Sequence, residues 1–210
     1  MKINQGYRFV KRTGDFVISL TAILLLSWFF ILMIIINFFC AYGRPLYFDK
    51  RIGRHGKKIK VLKFTSMKHD ADTNPERYLN KKQMSQWKKE RKVKDDPRVT
   101  KFGKILRKTS IDELPQLFNI LFGTLSLVGP RPITEFELNK NFTPEEREKL
   151  LLVKPGLTGN WAVSGRNNIE YKDHSRQKLE LDYIDKISFK TDAKIVLRTF
   201  AAVLRFNDVK

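Results

Sequence analysis

Two adjacent carboxylates, Asp112 and Glu113, are the residues whose place in the sequence best suits them to chemistry. They follow Ser110, and the apolar residues around them recur at helical spacing, so we expect a helix that begins near Ser110 with Pro115 in its first turns. One interpretation is structural, because a serine followed three residues later by a glutamate forms a capping box. The other is chemical, because a helix N-terminus near cations favours an ionised carboxylate that could attack phosphorus or hold Mg²⁺.

Basic side chains lie on both sides of this pair in the sequence. Arg131 follows it, between two prolines whose fixed φ angles would aim a planar guanidinium at a phosphate. The cations that precede it are Arg98, Lys101, Lys104, Arg107 and Lys108. A solvated basic face for the preceding group, and an ordinary turn for Arg131, are the structural alternatives to phosphate binding.

Residues 155–167 form a third candidate segment, with three glycines together with Trp161 and Arg166. Glycines allow a backbone to approach a ligand closely, and these two side chains could contact a base or a phosphate. Loops of this composition also occur without a ligand, so the segment does not identify a site by itself.

Residues 16–43 carry no charge and are rich in Ile, Leu and Phe, which predicts a membrane segment. A cleavable signal peptide is disfavoured, because its apolar stretch is about 7 to 15 residues long. A single spanning helix would be about 42 Å long in a hydrocarbon layer of about 30 Å. Basic residues flank both ends, and the positive-inside rule draws both to the cytoplasm, so a re-entrant hairpin is favoured. Such a hairpin breaks near its middle, where Ser27 and Asn37 are the available polar side chains.

The rest of the chain has the composition of a compact, basic domain. The 210 residues carry a net charge of +19, which favours a polyanionic partner such as a nucleic acid, a membrane surface or a phosphate-bearing substrate. Cys40 is the single cysteine, and the three histidines lie far apart, so we expect neither a disulfide nor a zinc site. Alternation predicts a strand over Lys58–Phe64, and helices are predicted around 75–87, after Thr143 and, with an amphipathic pattern, over 192–206.

These residues occur within stretches that resemble the monotopic polyprenol-phosphate phosphoglycosyl transferases, also called bacterial sugar transferases. The matching stretches follow one another at consistent spacing through most of the chain. They are residues 11–15, 63–67, 96–98, 106–117, 126–132 and 154–159.

The resemblance implies an α+β fold, with a re-entrant membrane helix hairpin over 1–48 and a small cytosolic α/β catalytic domain with interfacial amphipathic helices over 49–210. It implies an enzyme at the cytoplasmic face of the bacterial inner membrane that takes a UDP-sugar and a polyprenyl phosphate, requires Mg²⁺ and begins synthesis of a capsule, exopolysaccharide, O-antigen or glycoprotein glycan. Other glycan-assembly enzymes are implied as further partners, and nucleic acid is not.

The resemblance also assigns roles to residues. Asp112 corresponds to the nucleophile that attacks the β-phosphate, releases UMP and forms a phosphosugar-aspartyl intermediate, and Glu113 assists as a base or through Mg²⁺. Phosphate and substrate contacts are implied for Lys63, Arg98, Arg107, Arg131 and Arg166.

Two departures from the family pattern leave other interpretations open. Hairpins of the family commonly break at Ser-Pro, whereas Ser27 is followed by Trp28, and the loop has Ala162 where a glutamine is frequent. They are consistent with a non-catalytic scaffold of a polysaccharide assembly complex, although the Asp-Glu pair argues against it. The charge, with Tyr78 and Trp87 in a lysine-rich stretch, also permits a membrane-tethered nucleic-acid-binding protein.

Overall fold

The computed structural model describes residues 4–91, 93–164 and 174–204, which form an α+β fold. The strands are β1 Leu46–Ile52, β2 Lys58–Phe64, β3 Ser126–Val128 and β4 Gly156–Thr158. The helices are α1 Gln5–Leu25, α2 Ser27–Cys40, α3 Lys81–Glu90, α4 Lys101–Thr109, α5 Gln116–Leu121, α6 Glu135–Asn141, α7 Pro144–Leu150, α8 Asn160–Val163, α9 Ser175–Asp185 and α10 Phe189–Leu204.

The chain divides into two compact units, and neither is continuous in sequence. The first contains Met1–Leu26, Phe48–Leu62 and Pro115–Lys210, and the second contains Ser27–Tyr47 and Lys63–Leu114. β1 and β2 form a two-stranded sheet, and β3 and β4 form another. The chain therefore passes several times between the two units.

Several elements lie where local sequence signals predict them. The predicted strand has the bounds of β2. Thr143 accepts a hydrogen bond from the backbone N–H of Glu146 and Glu146 returns one, which confirms the capping box of α7. α10 begins three residues earlier than predicted, and it buries Ile195 while exposing Phe200.

The segment around 75–87 contains some helix, as predicted, in two separate pieces. A single 3₁₀ turn covers Pro75–Arg77, and α3 begins only at Lys81. Asn80 explains the later start, because its side chain forms a capping box with Gln83.

The core of the first unit lies around the parallel pair β3 and β4. In this pair Ser126 is opposite Gly156 and Val128 is opposite Thr158. The core residues are Ile52, Val128, Ile133, Leu138, Phe142, Leu150, Tyr183, Ile184 and Ile195. Their burial, from strands, loops and helices far apart in sequence, is the main source of the unit's stability.

Two side chains of α1 hold that helix within the first unit. Arg12 donates hydrogen bonds to the carbonyls of Ile120 and Leu121, each at 2.7 Å. These carbonyls end the short helix α5, and Arg12 caps them in addition to the N–H of Gly123, which donates to the carbonyl of Ile120 at 2.9 Å. Asp15 accepts from the backbone N–H of Leu127 at 3.0 Å. Arg12 and Asp15 are thus structural ties.

The second unit contains α2, α3 and α4. Phe30 of α2 packs against Phe64, with ring centroids 6.2 Å apart. Asn37 is buried, and its Nδ2 donates to the carbonyls of Pro45 at 2.7 Å and Thr65 at 3.1 Å. Asn37, one of the two polar side chains considered available to a hairpin break, therefore satisfies backbone groups of other segments instead. The break lies at Leu26, whose N–H closes the last turn of α1 on the carbonyl of Ala22.

Among the described residues, no single helix is long and apolar enough to cross a membrane. α1 and α2 meet the length and composition criteria only as a pair, bent by 66° at the break between them.

Candidate active site

Asp112 and Glu113 lie in a 3₁₀ turn, Ile111–Glu113, between α4 and α5. The α-helix predicted to begin near Ser110 begins only at Gln116, and the capping box that was one interpretation of Ser110 and Glu113 is not formed. Ser110 has φ 58° and ends α4, and its side chain makes no capping hydrogen bond. Both carboxylates are half-buried. They are therefore partly shielded from water without being tied to a helix N-terminus.

Pro115 explains why the helix starts late. A proline has no N–H, so it cannot donate to the carbonyl of Ile111 as the fifth residue of a helix would. The backbone instead closes with shorter bonds, from Glu113 to Ser110 at 3.2 Å and from Leu114 to Ile111 at 3.1 Å. α5 begins at Gln116, after the proline. The two carboxylates are consequently presented by a tight turn.

Arg107 lies in the last turn of α4, directly before the carboxylate turn, and its Nε donates to Oγ of Ser66 at 2.9 Å. This contact is possible because α4 packs very closely on the segment after β2. A Cβ added at Gly103 would lie 2.0 Å from the carbonyl oxygen of Ser66. Gly103 thus permits the approach that lets Ser66 orient Arg107. Lys63 lies three residues before Ser66, half-buried near the end of β2.

Arg98 is buried, with 3% of its surface exposed, and is held by neighbouring groups. Its Nε and Nη2 donate to the carboxylate of Asp96, at 2.9 and 2.7 Å, and its Nη1 donates to the carbonyl of Ala71 at 3.3 Å. Burial alone would raise the pKa of Asp96, but the hydrogen bonds and charge of Arg98, with the charge of Arg107, lower it. Arg98 has a clear structural role, and its phosphate-binding role stays a prediction.

Arg131 lies in the first unit and is oriented by three groups. Its Nη1 donates to Glu137 Oε1 at 3.2 Å, its backbone N–H donates to Glu180 Oε2 at 3.0 Å, and its guanidinium carbon lies 5.8 Å from the ring centre of Trp161. Burial alone would raise the pKa of Glu137, but Arg131 and Arg51, with hydrogen bonds from Thr134, lower it to about 2. Arg131 is therefore preorganised by an ionised carboxylate.

Gly156 and Gly159, the described glycines of residues 155–167, pack against backbone rather than leave space for a ligand. A Cβ at Gly156 would lie 2.1 Å from the nitrogen of Gly129, and a Cβ at Gly159 would lie 2.2 Å from the oxygen of Gly129. These glycines therefore allow the close packing of β3 and β4, and they do not form a ligand-binding loop as the sequence suggested. Trp161 is buried against Arg131. Arg166 lies outside the described residues.

Metal binding would depend on the carboxylate pair. Within the described residues, no group of three or more His, Cys, Asp or Glu side chains is placed to hold a metal ion. Mg²⁺ in phosphoryl-transfer sites often takes only one or two carboxylates, and substrate phosphates and water complete its coordination. The adjacent side chains of Asp112 and Glu113 fit that partial ligand set.

The sequence analysis did not identify three residues that contact Arg107 or Arg131, which are Ser66, Glu137 and Glu180. Ser66 was visible only as part of a matching stretch. Glu137 could have been found as the third helical residue after Thr134, in a capping box that the structure contains. Glu180 has no sequence signal, because it is a glutamate within the largely polar helix α9.

Comparison with known proteins assigns the family. The sequence model described as bacterial sugar transferase matches residues 6–206. The chain is 40% identical over 195 residues to the exopolysaccharide production protein ExoY of Sinorhizobium fredii, covering 92% of this chain and 84% of that protein. It is 40% identical over 201 residues to a UDP-galactose-lipid carrier transferase of Erwinia amylovora, covering 94% of this chain and 41% of that protein.

A third relative is the undecaprenyl-phosphate galactose phosphotransferase of Salmonella typhimurium, which is 39% identical over 202 residues, with 94% of this chain and 41% of that protein covered. The chain therefore spans most of ExoY and less than half of the two longer relatives. Because the family match runs through nearly all of its residues, this chain belongs to the bacterial sugar transferase family.

Proposed function

We propose that this chain transfers a phospho-sugar from a UDP-sugar to a polyprenyl phosphate such as undecaprenyl phosphate, giving a polyprenyl-diphospho-sugar and UMP. Two relatives that match nearly the whole chain have names that describe transfer to a lipid carrier or to undecaprenyl phosphate, and a third is named for exopolysaccharide production. The observation that carries the proposal is the pair Asp112 and Glu113, half-buried in a turn that directly follows the basic last turn of α4.

The reaction proceeds in two steps at one phosphorus atom. An oxygen of Asp112 attacks the β-phosphorus of the UDP-sugar, the bond from that phosphorus to the bridging oxygen breaks, and UMP leaves with the bonding electrons. A phosphate oxygen of the polyprenyl phosphate then attacks the same phosphorus and releases Asp112. A covalent intermediate divides one difficult transfer into two easier displacements.

Neighbouring side chains of this chain support both steps. Arg107, oriented by Ser66, contacts phosphate oxygens, as does Lys63, and both lie in the same unit as Asp112. A phosphate contact of Arg131 rests on the family resemblance. Glu113 assists Asp112, and together they would hold Mg²⁺ against the phosphates. When bound there, the ion would neutralise charge that develops during transfer.

The membrane arrangement is part of the proposal. The helices α1 and α2 form a re-entrant hairpin at the cytoplasmic face of the inner membrane, broken at Leu26. The exposed apolar side chains near the break support this, including Leu24 (65%), Leu25 (70%) and Trp28 (66%), because exposed apolar groups of this number are costly in water.

Topology is tested with single cysteines at Asn4 and at Lys58, in a chain whose Cys40 is replaced by serine. An impermeant thiol reagent is added to intact cells and, separately, to permeabilised cells. A hairpin predicts labelling of both sites only after permeabilisation. Labelling of one site alone in intact cells would show that the segment crosses the membrane.

The activity is tested by UMP release from purified protein in detergent with Mg²⁺, undecaprenyl phosphate and a panel of UDP-sugars. Wild type should release UMP from one or two of these sugars, and Asp112→Asn should abolish that release. Asp185→Asn is the matched control, because it makes the same substitution at an exposed carboxylate paired with Lys149. Full activity of Asp112→Asn would refute the nucleophile, and no release by folded wild type would favour a scaffold.

Isotope exchange separates the two-step route from direct transfer. A phosphosugar-enzyme intermediate predicts that labelled UMP exchanges into the UDP-sugar without any polyprenyl phosphate. Glu113→Gln should slow this exchange and retain binding of the UDP-sugar. Exchange that occurs only after polyprenyl phosphate is added would contradict the intermediate.

A further inference from the structure

The first unit contains a pocket lined by an excess of positive charge. Its volume is about 210 Å³, and it lies between the first turns of α1 and the segments around 54 and 152–154. Its ionisable lining includes the side chains of Arg8, Lys11, Arg12, Asp15, Arg54 and Lys154. Five cations thus surround one carboxylate of the lining.

Part of this charge is used by the fold itself. Lys11 binds Asp192 at 2.5 Å, and Asp192 also accepts from the hydroxyls of Tyr7 and Tyr183. Arg12 donates to backbone carbonyls, as described above. These two cations are structural ties, and they cannot turn to a ligand without breaking bonds within the unit.

Arg8, Arg54 and Lys154 are placed differently. Among the described residues, none of the three forms an ion pair with a carboxylate, although Arg54 donates to His55. Burial and the charges of Arg12 and Arg54 lower the pKa of Lys154, with Asp15 opposing them. Like charges around a concave site repel one another until an anion neutralises them. The pocket therefore has the electrostatics of an anion site.

The surroundings indicate what kind of anion fits. Apolar side chains are exposed within and after the basic first turns of α1, including Phe9 (75%) and Phe16 (44%). Phe189 of α10, which contacts the ring of Tyr7 at 4.9 Å between centroids, is half exposed. A basic pocket beside exposed aromatic and aliphatic side chains is the arrangement that an interfacial lipid requires, because its headgroup is anionic and its chains are apolar.

The size of the pocket limits the ligand further. Sites for drug-sized ligands are typically about 300 Å³ or larger, so this pocket fits a phosphate headgroup and is too small for a whole nucleotide sugar. Its residues are also different from the carboxylate turn and from the cations assigned to phosphate contacts in the reaction.

We propose that this pocket binds the phosphate of an anionic phospholipid headgroup, through Arg8, Arg54 and Lys154. The site is an accessory lipid site, which goes beyond the proposed reaction and does not depend on Asp112. Its occupant is a phosphodiester lipid of the surrounding bilayer, and free phosphate or a lipid-linked phosphate monoester are alternatives that the test distinguishes.

Binding is measured with the full chain in neutral detergent, by native mass spectrometry and by the shift in Tm. The ligands are dioctanoyl phosphatidylglycerol, dioctanoyl phosphatidylcholine, farnesyl phosphate and inorganic phosphate. Arg8→Gln with Lys154→Gln should weaken phosphatidylglycerol binding about 30-fold, because each cation near an anionic lipid contributes about one factor of five. The control, Lys81→Gln with Lys82→Gln, removes the same charge from exposed positions.

The proposal requires phosphatidylglycerol to bind better than phosphatidylcholine and inorganic phosphate, with the loss confined to the pocket variant. Equal binding by wild type and pocket variant, or equal losses in pocket and control variants, would overturn it. Stronger binding of farnesyl phosphate or of inorganic phosphate would assign the pocket to those ligands instead. If the double variant fails to fold, Arg54→Gln is compared with Arg54→Lys, which keeps the charge. Phosphatidylglycerol binding should then be weakened only in Arg54→Gln. UMP release in detergent is expected to be unchanged in the pocket variant, so failure of the reaction and failure of this site are distinguishable.

Discussion

Glu180 and Glu137 contact the same arginine, and the same substitution at the two positions should have opposite effects on stability. Glu180 is 2% exposed and accepts from the backbone N–H of Arg131. Burial, only partly offset by that hydrogen bond and by nearby arginines, raises the pKa of Glu180 from 4.5 to about 7. Glu137 lies between two arginines, which together with Thr134 lower its pKa to about 2 despite burial.

The sign of each effect follows from proton binding. Between pH 4.5 and 7 the folded chain keeps a proton on Glu180 that the unfolded chain has released, so stability falls as the pH rises through this range. A difference of about 2.5 pKa units corresponds to about 3 kcal/mol. For Glu137 the unfolded chain holds the proton, so its stabilisation is present above pH 4.5 and is lost as the pH falls toward 2.

Glu180→Gln should therefore raise the free energy of unfolding at pH 8 by up to about 3 kcal/mol and leave it nearly unchanged at pH 4.5. Its amide oxygen can still accept from Arg131, so the hydrogen bond is retained. Glu137→Gln should lower the free energy of unfolding at pH 8 by about 3 kcal/mol, because Arg131 and Arg51 lose their shared carboxylate.

The assay is urea unfolding in detergent, followed by circular dichroism at several pH values from 4.5 to 8. The reasoning is refuted if Glu180→Gln is less stable than wild type at pH 8, or if both variants change stability in the same direction. A pH slope in Glu180→Gln equal to that of wild type would likewise show that Glu180 is not the titrating group.

Three further predictions concern the second unit and α1. In thermal unfolding, Gly103→Ala should destabilise the chain by at least about 2 kcal/mol, because the added Cβ would overlap the carbonyl of Ser66. Gly14→Ala is the control, because Gly14 has open space around it, and it should stabilise α1 by about 0.5–1 kcal/mol in the same assay. Asn37→Leu should cost about 2 kcal/mol in urea unfolding, because two part-buried carbonyls lose their donor, and an unchanged midpoint would contradict this. Arg107→Lys should lower kcat for UMP release at least about tenfold with unchanged Tm, since a lysine cannot keep the Ser66 bond and bind phosphate bidentately, and full activity would exclude Arg107 from the site.

Local signals in the sequence were sufficient for some elements. Alternating side chains gave the bounds of β2, and a threonine, proline and glutamate at fixed spacing located the start of α7. These features depend on neighbours within a few residues, so the chain carries them regardless of its tertiary fold. The adjacent carboxylates Asp112 and Glu113 were likewise visible, because their types and position are properties of the sequence.

Other features were not predictable from local patterns. The spacing of Ser110 and Glu113 predicted a capping box, but the missing N–H of Pro115 and the left-handed conformation of Ser110 gave a 3₁₀ turn instead. Asn37 was considered available to a hairpin break, whereas it donates to the carbonyls of Pro45 and Thr65, which lie 8 and 28 residues later in the sequence. In both cases the outcome depended on a competing backbone partner that periodicity does not reveal.

The sequence alone determined the family, the candidate carboxylates and the apolar segment, because each is a matter of residue type and order. The tertiary structure decided which charged residues are used by the fold and which face a cavity. Arg12 and Arg98 bind carbonyls and a carboxylate within their own units, while Arg8 and Lys154 line a pocket. Residue type gives a cation its charge, but only the positions of groups distant in sequence determine whether that charge is already neutralised or is available to a ligand.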